Sequence, residues 1–419
     1  MNKPQNDVAV STQSSPPVLA RRISLPLLTF YGLGTILGAG IYVLAGKVAA
    51  VSGLLAPLAF LLAALVAGVT GLSYCQLVVN YPKSAGEVCY VDEGFHWPRL
   101  SQLVGFLVVF TGMVSAATLA NGFVGYLGSF MPVQPTVAII LVLAAMTALA
   151  IWGIAESLWL AALITVIELS GLFLLVGFNF DVLESLPARA GDLLVPDSPM
   201  QWGAAMGGAF LAFYAFIGFE DMVNIVEEVK EPERTMPKAI VIALLLSSLM
   251  YLWVAIVAVL AMPLDQLSAS GAPLKELLQS EHPKVAQWVG VISLFAIVNG
   301  VLIQLIMASR VLYGMADQGR APRWLAQVWV VTRTPALATL LMGGLTLLAA
   351  LLLPLVTLAK ATSFIILIIF TLVNLSLVRL RRQPHFVALS SIPSWPVLGA
   401  VLCLGLLSFQ IMDLITASS

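Results

Sequence analysis

Gly32–Tyr42 reads GLGTILGAGIY, and Ala215–Asn224 reads AFIGFEDMVN. Each stretch lies within an apolar run long enough to cross a bilayer. Each interrupts that run where a membrane helix should continue. A spanning helix must satisfy its own backbone, so unwound chain at that depth survives only inside protein or beside a water-filled cavity. Paired interruptions at matching places in two halves are the best sequence pointer to a carrier's binding site.

Composition supports the membrane setting. Of 419 residues, 60% are hydrophobic and 10% are charged. A soluble domain carries about 25% charged residues. A net charge of −1 gives no reason to expect a nucleic-acid or polyanion partner. Cys75, Cys89 and Cys403 have no metal or redox spacing, and His96, His282 and His385 fall outside the apolar runs. No metal site, cofactor or enzymatic chemistry is expected. The chain shows no HExxH, no GxSxG and no phosphate-binding loop.

The apolar runs divide into eleven expected spanning segments: 27–50, 53–79, 100–130, 134–153, 158–179, 201–229, 236–262, 285–316, 335–353, 356–379 and 394–415. Lysine and arginine placement orients them. With the N-terminus in the cytoplasm, Lys3, Arg21, Arg22, Lys83, Arg99, Lys230, Arg234, Lys238, Arg310, Arg320, Arg323, Arg333, Arg379, Arg381 and Arg382 all fall inside. The outer loops receive Arg189, Lys275 and Lys284, while Lys47 and Lys360 read as snorkelling from outer helix ends. Eleven crossings then place the C-terminus outside. Residues 1–22 read as a disordered cytoplasmic segment. Two five-helix halves, 23–180 and 201–383, flank an outer loop at 181–200, and 384–419 holds an accessory eleventh helix and a short tail. Five is odd, so the halves have opposite orientations, an inverted repeat with the broken helix first in each.

Gly34, Gly38 and Gly40 let the first break depart from helix and approach a ligand closely. The half-helix beyond it would offer free N–H groups to a carboxylate. Gly34 and Gly38 also fit a small-residue packing pattern. In the second break, a charge at Glu220 costs roughly 2.5–3.5 kcal/mol at mid-membrane and calls for a partner or water. Asp221 reads as part of the polar end that carries Glu227, Glu228 and Glu231. Unwinding after Gly218 would leave the carbonyls of Ala215, Phe216 and Ile217 unpaired, a fit for an ammonium group. Donors from one break and acceptors from the other suit a zwitterion.

Ala215–Ile240, AFIGFEDMVNIVEEVKEPERTMPKAI, resembles the sixth segment of the amino acid–polyamine–organocation (APC) superfamily, most closely its cationic amino acid transporter branch. Gly32–Ala49, Tyr81–Phe95 (YPKSAGEVCYVDEGF) and Ala308–Leu325 (ASRVLYGMADQGRAPRWL) agree, in family order. The resemblance implies the leucine-transporter-type fold: all-α, polytopic, a 5+5 inverted repeat with helices 1 and 6 broken. It implies that Leu37, Gly38, Ala39 and Gly40 bind the substrate carboxylate. Ala215, Phe216, Ile217 and Gly218 would face the amine, with Tyr214 as outer lid and Glu220 in gating or coupling. Ser115 and Gln304 are the side-chain-pocket candidates.

Three departures stand out. Relatives usually have twelve segments, which puts a dimer contact through the last two in doubt. Several relatives carry a lysine on segment five at a sodium-site position; counted from Glu156-Ser157, this chain has Glu168 there. A carboxyl in that apolar run is a candidate proton-coupling residue. Lys360 stands where a small or polar residue is expected.

The function expected is secondary transport of amino acids or related amines across the cell membrane by alternating access, proton-coupled (symport) or exchanging (antiport). Expected partners are that substrate, the lipid bilayer, a proton and, if the dimer contact survives, a second copy. The alternatives are an ion channel and a non-transporting amino-acid sensor of the same fold.

Overall fold

A computed structural model describes residues 21–83, 86–153, 158–387 and 394–418. Residues 1–20 of the expected disordered segment lie outside that set, as does the Glu156–Ser157 pair. The helices are α1 (Leu25–Leu37), α2 (Ala39–Ser52), α3 (Ala56–Asn80), α4 (Gly86–Phe95), α5 (Pro98–Gly128), α6 (Pro135–Trp152), α7 (Leu158–Phe178) and α8 (Leu186–Leu194). They continue as α9 (Pro199–Ala212), α10 (Pro232–Ala261), α11 (Leu264–Ala269), α12 (Pro273–Gln279), α13 (Pro283–Asp317), α14 (Ala336–Leu352), α15 (Leu355–Leu380) and α16 (Trp395–Ser418). Short 3-10 turns join several of them, and no strand is formed among the described residues.

Nine helical stretches among the described residues are long and apolar enough to cross a membrane. The first, Leu25–Asn80, runs 56 residues and turns at Gly53, φ +59°, so it carries two expected segments. The expected ninth segment is the shorter apolar helix α14, 17 residues long. The protein is thus an all-α polytopic membrane protein, and each expected segment falls on helix. Proline opens α5, α6, α9, α10 and α13 at Pro98, Pro135, Pro199, Pro232 and Pro283. Its missing N–H costs nothing in a first turn.

α5 lies along α13 and α3 along α10, while α1 packs between α10 and α7. α16 rests outside on α15 and α3. Hydrogen bonds supply specific contacts in this apolar setting: Ser73 donates to Asn374 Oδ1 at 2.6 Å, and the Asn374 amide donates to Thr70 at 3.1 Å. At the lysine- and arginine-rich end, the amides of Arg22 and Ile23 donate to the Glu228 carbonyl at 2.9 and 3.0 Å, tying the start of α1 to the end of segment six. At the opposite end Lys47 does not simply snorkel. Its ammonium donates to the Ser268 carbonyl at 2.8 Å, holding the turn between α11 and α12.

Candidate functional site

The first break is one residue wide. α1 ends at Leu37, Gly38 takes φ −38° and ψ −151°, and α2 begins at Ala39 with no side-chain cap. The first amides of α2 therefore lack intrahelical acceptors. The three glycines divide the work. Gly34 packs against the Thr165 hydroxyl of α7, and Gly38 makes the break. At Gly40 a Cβ would come within 3.0 Å of the Ala215 Cα.

The second break is longer. α9 gives way to a 3-10 turn at Phe213–Phe216, then Ile217 is extended and Gly218 has φ +127°. Phe219–Glu228 continues as 3-10 helix rather than α. The Gly218 N–H, freed by the turn, donates to Glu220 Oε2 at 2.9 Å. Gly218 packs directly on the Thr35 carbonyl, so the two breaks cross in contact there.

Tyr251 of α10, which belongs to no sequence motif, joins them. Its hydroxyl lies 2.5 Å from the Ile36 carbonyl and 2.8 Å from that of Ala215. This corrects the expectation that Ala215 presents an unpaired carbonyl. The oxygen already accepts from Tyr251, with one lone pair left for a second donor.

A cavity lies where the breaks meet. Gly38, Ala39, Gly40, Tyr214, Ala215 and Ile217 form its break side, and Ser115, Glu168 and Gln304 close it from α5, α7 and α13. Leu37, Phe216 and Gly218 frame it without facing it. Leu37 is buried, Phe216 stacks edge-on against Tyr251 with centroids 5.0 Å apart, and Gly218 meets Thr35. Asn299 and Gly300 of α13 also line it, which no sequence pattern indicated. The Tyr214 hydroxyl and Ser115 Oγ are 2.8 Å apart, closing the wall between segment six and α5. Glu168 is 2% exposed, and its backbone carbonyl accepts from the Tyr42 hydroxyl at 2.7 Å, which ties α7 to α2.

Asp221 corrects the sequence reading. It does not join the polar helix end but is 3% exposed and lines this cavity. Glu220 instead faces a second cavity, which shares Ile217, Asp221 and Gln304 with the first. A third, roomier one shares Asn224 and Met307 with the second and reaches Arg310 and Arg320. Asp221 lines all three. The cavities therefore lead from the breaks toward the basic end. At the other end, Lys275 of α12 donates to the Ser129 carbonyl at 2.7 Å and lies 3.9 Å over the Phe130 ring.

The arrangement offers amide donors from α2, backbone acceptors from segment six and buried carboxyls. It can bind a small zwitterion or amine. Comparison with known proteins identifies the family. The profile of the amino acid permease family matches residues 23–416. A branched-chain amino acid permease of Bacillus subtilis is 27% identical over 431 aligned positions, covering 95% of this chain and 90% of that protein. An uncharacterised transporter of Mycobacterium tuberculosis is 33% identical over 337, covering 78% and 73%. Cationic amino acid transporter 4 of Homo sapiens is 29% identical over 426, covering 94% of this chain and 63% of its own length.

Proposed function

This chain belongs to the amino acid permease family, within the APC superfamily, and from that premise we propose that it is a secondary carrier of amino acids or closely related amines. The observation that carries this is the cavity where the two breaks cross, lined by Gly38–Gly40 on one side and Ala215 and Ile217 on the other. The substrate carboxylate sits on the open amides at the start of α2. The amine takes the free lone pair of Ala215 and the carbonyl of Ile217, and Gln304 and Ser115 border the side chain.

The basic end is cytoplasmic, which puts the N-terminus inside, the C-terminus outside and the chain in the cell membrane. The cavities then open inward. Residues 23–180 and 201–383 act as the two inverted halves, and alternation rocks segments one and six against the rest. Tyr214 closes the outer side. Glu168 and Glu220 couple the movement to a proton gradient or set the exchange.

Counterflow into proteoliposomes preloaded with single amino acids or biogenic amines tests this. One chemical class should accumulate label, and Gly40→Val, which drives side-chain atoms into Ala215, should abolish it. A monodisperse parent protein that binds an amino acid but shows no counterflow would replace the carrier with a sensor. Glu168→Gln tests coupling. Uptake driven by an imposed pH gradient should fall while counterflow persists, and unchanged driven uptake removes Glu168 from that role.

A further inference from the structure

Below the substrate cavity, three carboxyls line one buried space. Glu87 of α4 and Glu220 and Asp221 of segment six are each at most 5% exposed. All three line the middle cavity. Among the described residues, no lysine, arginine or histidine lines it. Two of the carboxyls are held. Tyr74 of α3 donates to Glu87 Oε1 at 3.1 Å, and the Gly218 amide donates to Glu220. The third is not. Among the described residues the Asp221 side chain meets no donor, its charged neighbours are Glu220 and Glu87, and it borders both the substrate cavity and the basic vestibule.

Three ionised carboxylates in one buried space repel one another and lose their hydration. A shared metal ion would relieve this, but no group of three acidic, cysteine or histidine residues among those described converges closely enough to hold one. Protonation relieves the repulsion one carboxyl at a time and does not require the three to converge on one ion. We propose that Glu87, Glu220 and Asp221 form a proton-binding site at the inner exit of the substrate cavity, separate from Glu168, with Asp221 exchanging its proton with the vestibule. Only its use in transport rests on the carrier reading; its existence does not.

The surroundings of Glu87 favour this. Facing it are Tyr74 from α3, Glu220 and Asp221 from segment six, and Tyr90 from its own helix. α5 contributes Val108 and Thr111, α13 contributes Gln304 and Met307, and α15 contributes Ile366. The arginine of α15, Arg379, lies over the Phe95 ring at 4.2 Å. Burial pushes the Glu87 carboxyl up to about 7, against hydrogen bonds from the backbone and from Tyr74 that pull it down. A proton on Glu87 removes its charge from the contact between α4 and the lower half of segment six. Its departure restores repulsion across that contact.

The test is an infrared pH titration of the purified full-length protein in nanodiscs, from about pH 5 to about pH 9. It needs no substrate, so it stands or falls apart from the counterflow result. The parent should show a protonated-carboxyl band that disappears as pH rises, and Glu87→Gln and Asp221→Asn should each remove part of it. Tyr74→Phe guards against variants that fail to fold. It deletes the side-chain hydrogen bond from Tyr74 to Glu87, so the midpoint of the band should move to higher pH, which a merely structural role would not do. A parent with no such band, folded variants that keep the full band, or a Tyr74→Phe midpoint equal to the parent's would each overturn the proposal.

Discussion

Gly218 is the most constrained residue of the site. Its φ of +127° is one that side chains rarely adopt, and any Cβ would run into the Thr35 carbonyl. The strain alone costs about 1–3 kcal/mol, and the clash adds to it. Gly218→Ala should therefore lower the thermal midpoint sharply and abolish ligand-induced stabilisation. A parent-like melt would show that the breaks need not cross so closely. Tyr251→Phe is the gentler probe. It leaves the Ile36 and Ala215 carbonyls without their shared donor, at a cost of about 1–3 kcal/mol. A thermal melt should show that loss together with weaker substrate binding, and an unchanged melt would count against the bridge. Gly218 was legible in the sequence because glycine inside an apolar run beside an acid has few other readings. Tyr251 was not. One hydroxyl on a long apolar helix looks like any buried tyrosine until the fold sets two carbonyls beside it. Asp221 misled for a related reason: sequence distance to Glu227 and Glu228 is short, but the 3-10 stretch keeps Asp221 inside.

Among the elements, the short α4 links the proton chemistry to stability. Glu87 has an ordinary value near 4.5 in the unfolded chain and about 7 in the folded one. The folded state thus binds the extra proton between those values. Linkage makes this contribution full below about pH 4.5, decreasing through the window and gone above about pH 7. The thermal midpoint should fall as pH rises across that range, and the fall should be smaller in Glu87→Gln. An equal slope in both proteins would assign the pH dependence elsewhere. The α11–α12 hairpin offers a second test. Lys47 and Lys275 pin it to carbonyls at its turn and at the end of α5. Replacing both with methionine should speed hydrogen exchange over residues 264–279, and unchanged protection would mean that apolar packing alone seats the hairpin. Helix positions were readable from apolar run length, since a span needs about 20 residues. The kind of break was not. A one-residue kink at Gly38 and a ten-residue 3-10 stretch after Gly218 depend on capping by Glu220 and contact with Thr35, which only tertiary structure supplies.

For the whole molecule, the decisive property is that the three cavities bordered by Asp221 form one path toward the basic end. From the crossing breaks they pass Asp221 to a vestibule beside Arg310 and Arg320, while Lys47 and Lys275 knit the other end. The eleven segments and their basic bias were legible without the structure, because hydropathy and charge act along the chain. The direction in which the cavities open was not, because one sequence serves every state of the cycle. Chemical labelling tests it. Asn224 lines the vestibule and is half-buried. Cys75 and Cys403 are buried, so Cys89 is the native thiol most open to a reagent. With all three replaced by serine, Asn224→Cys should react with a membrane-impermeant maleimide in inside-out vesicles and stay unlabelled in right-side-out ones. Saturating substrate should slow that reaction if binding draws the lower half of segment six against α5 and α13. Labelling from the outer face alone would invert the orientation. Equal labelling from both faces would describe a pore open throughout, which an alternating carrier never forms.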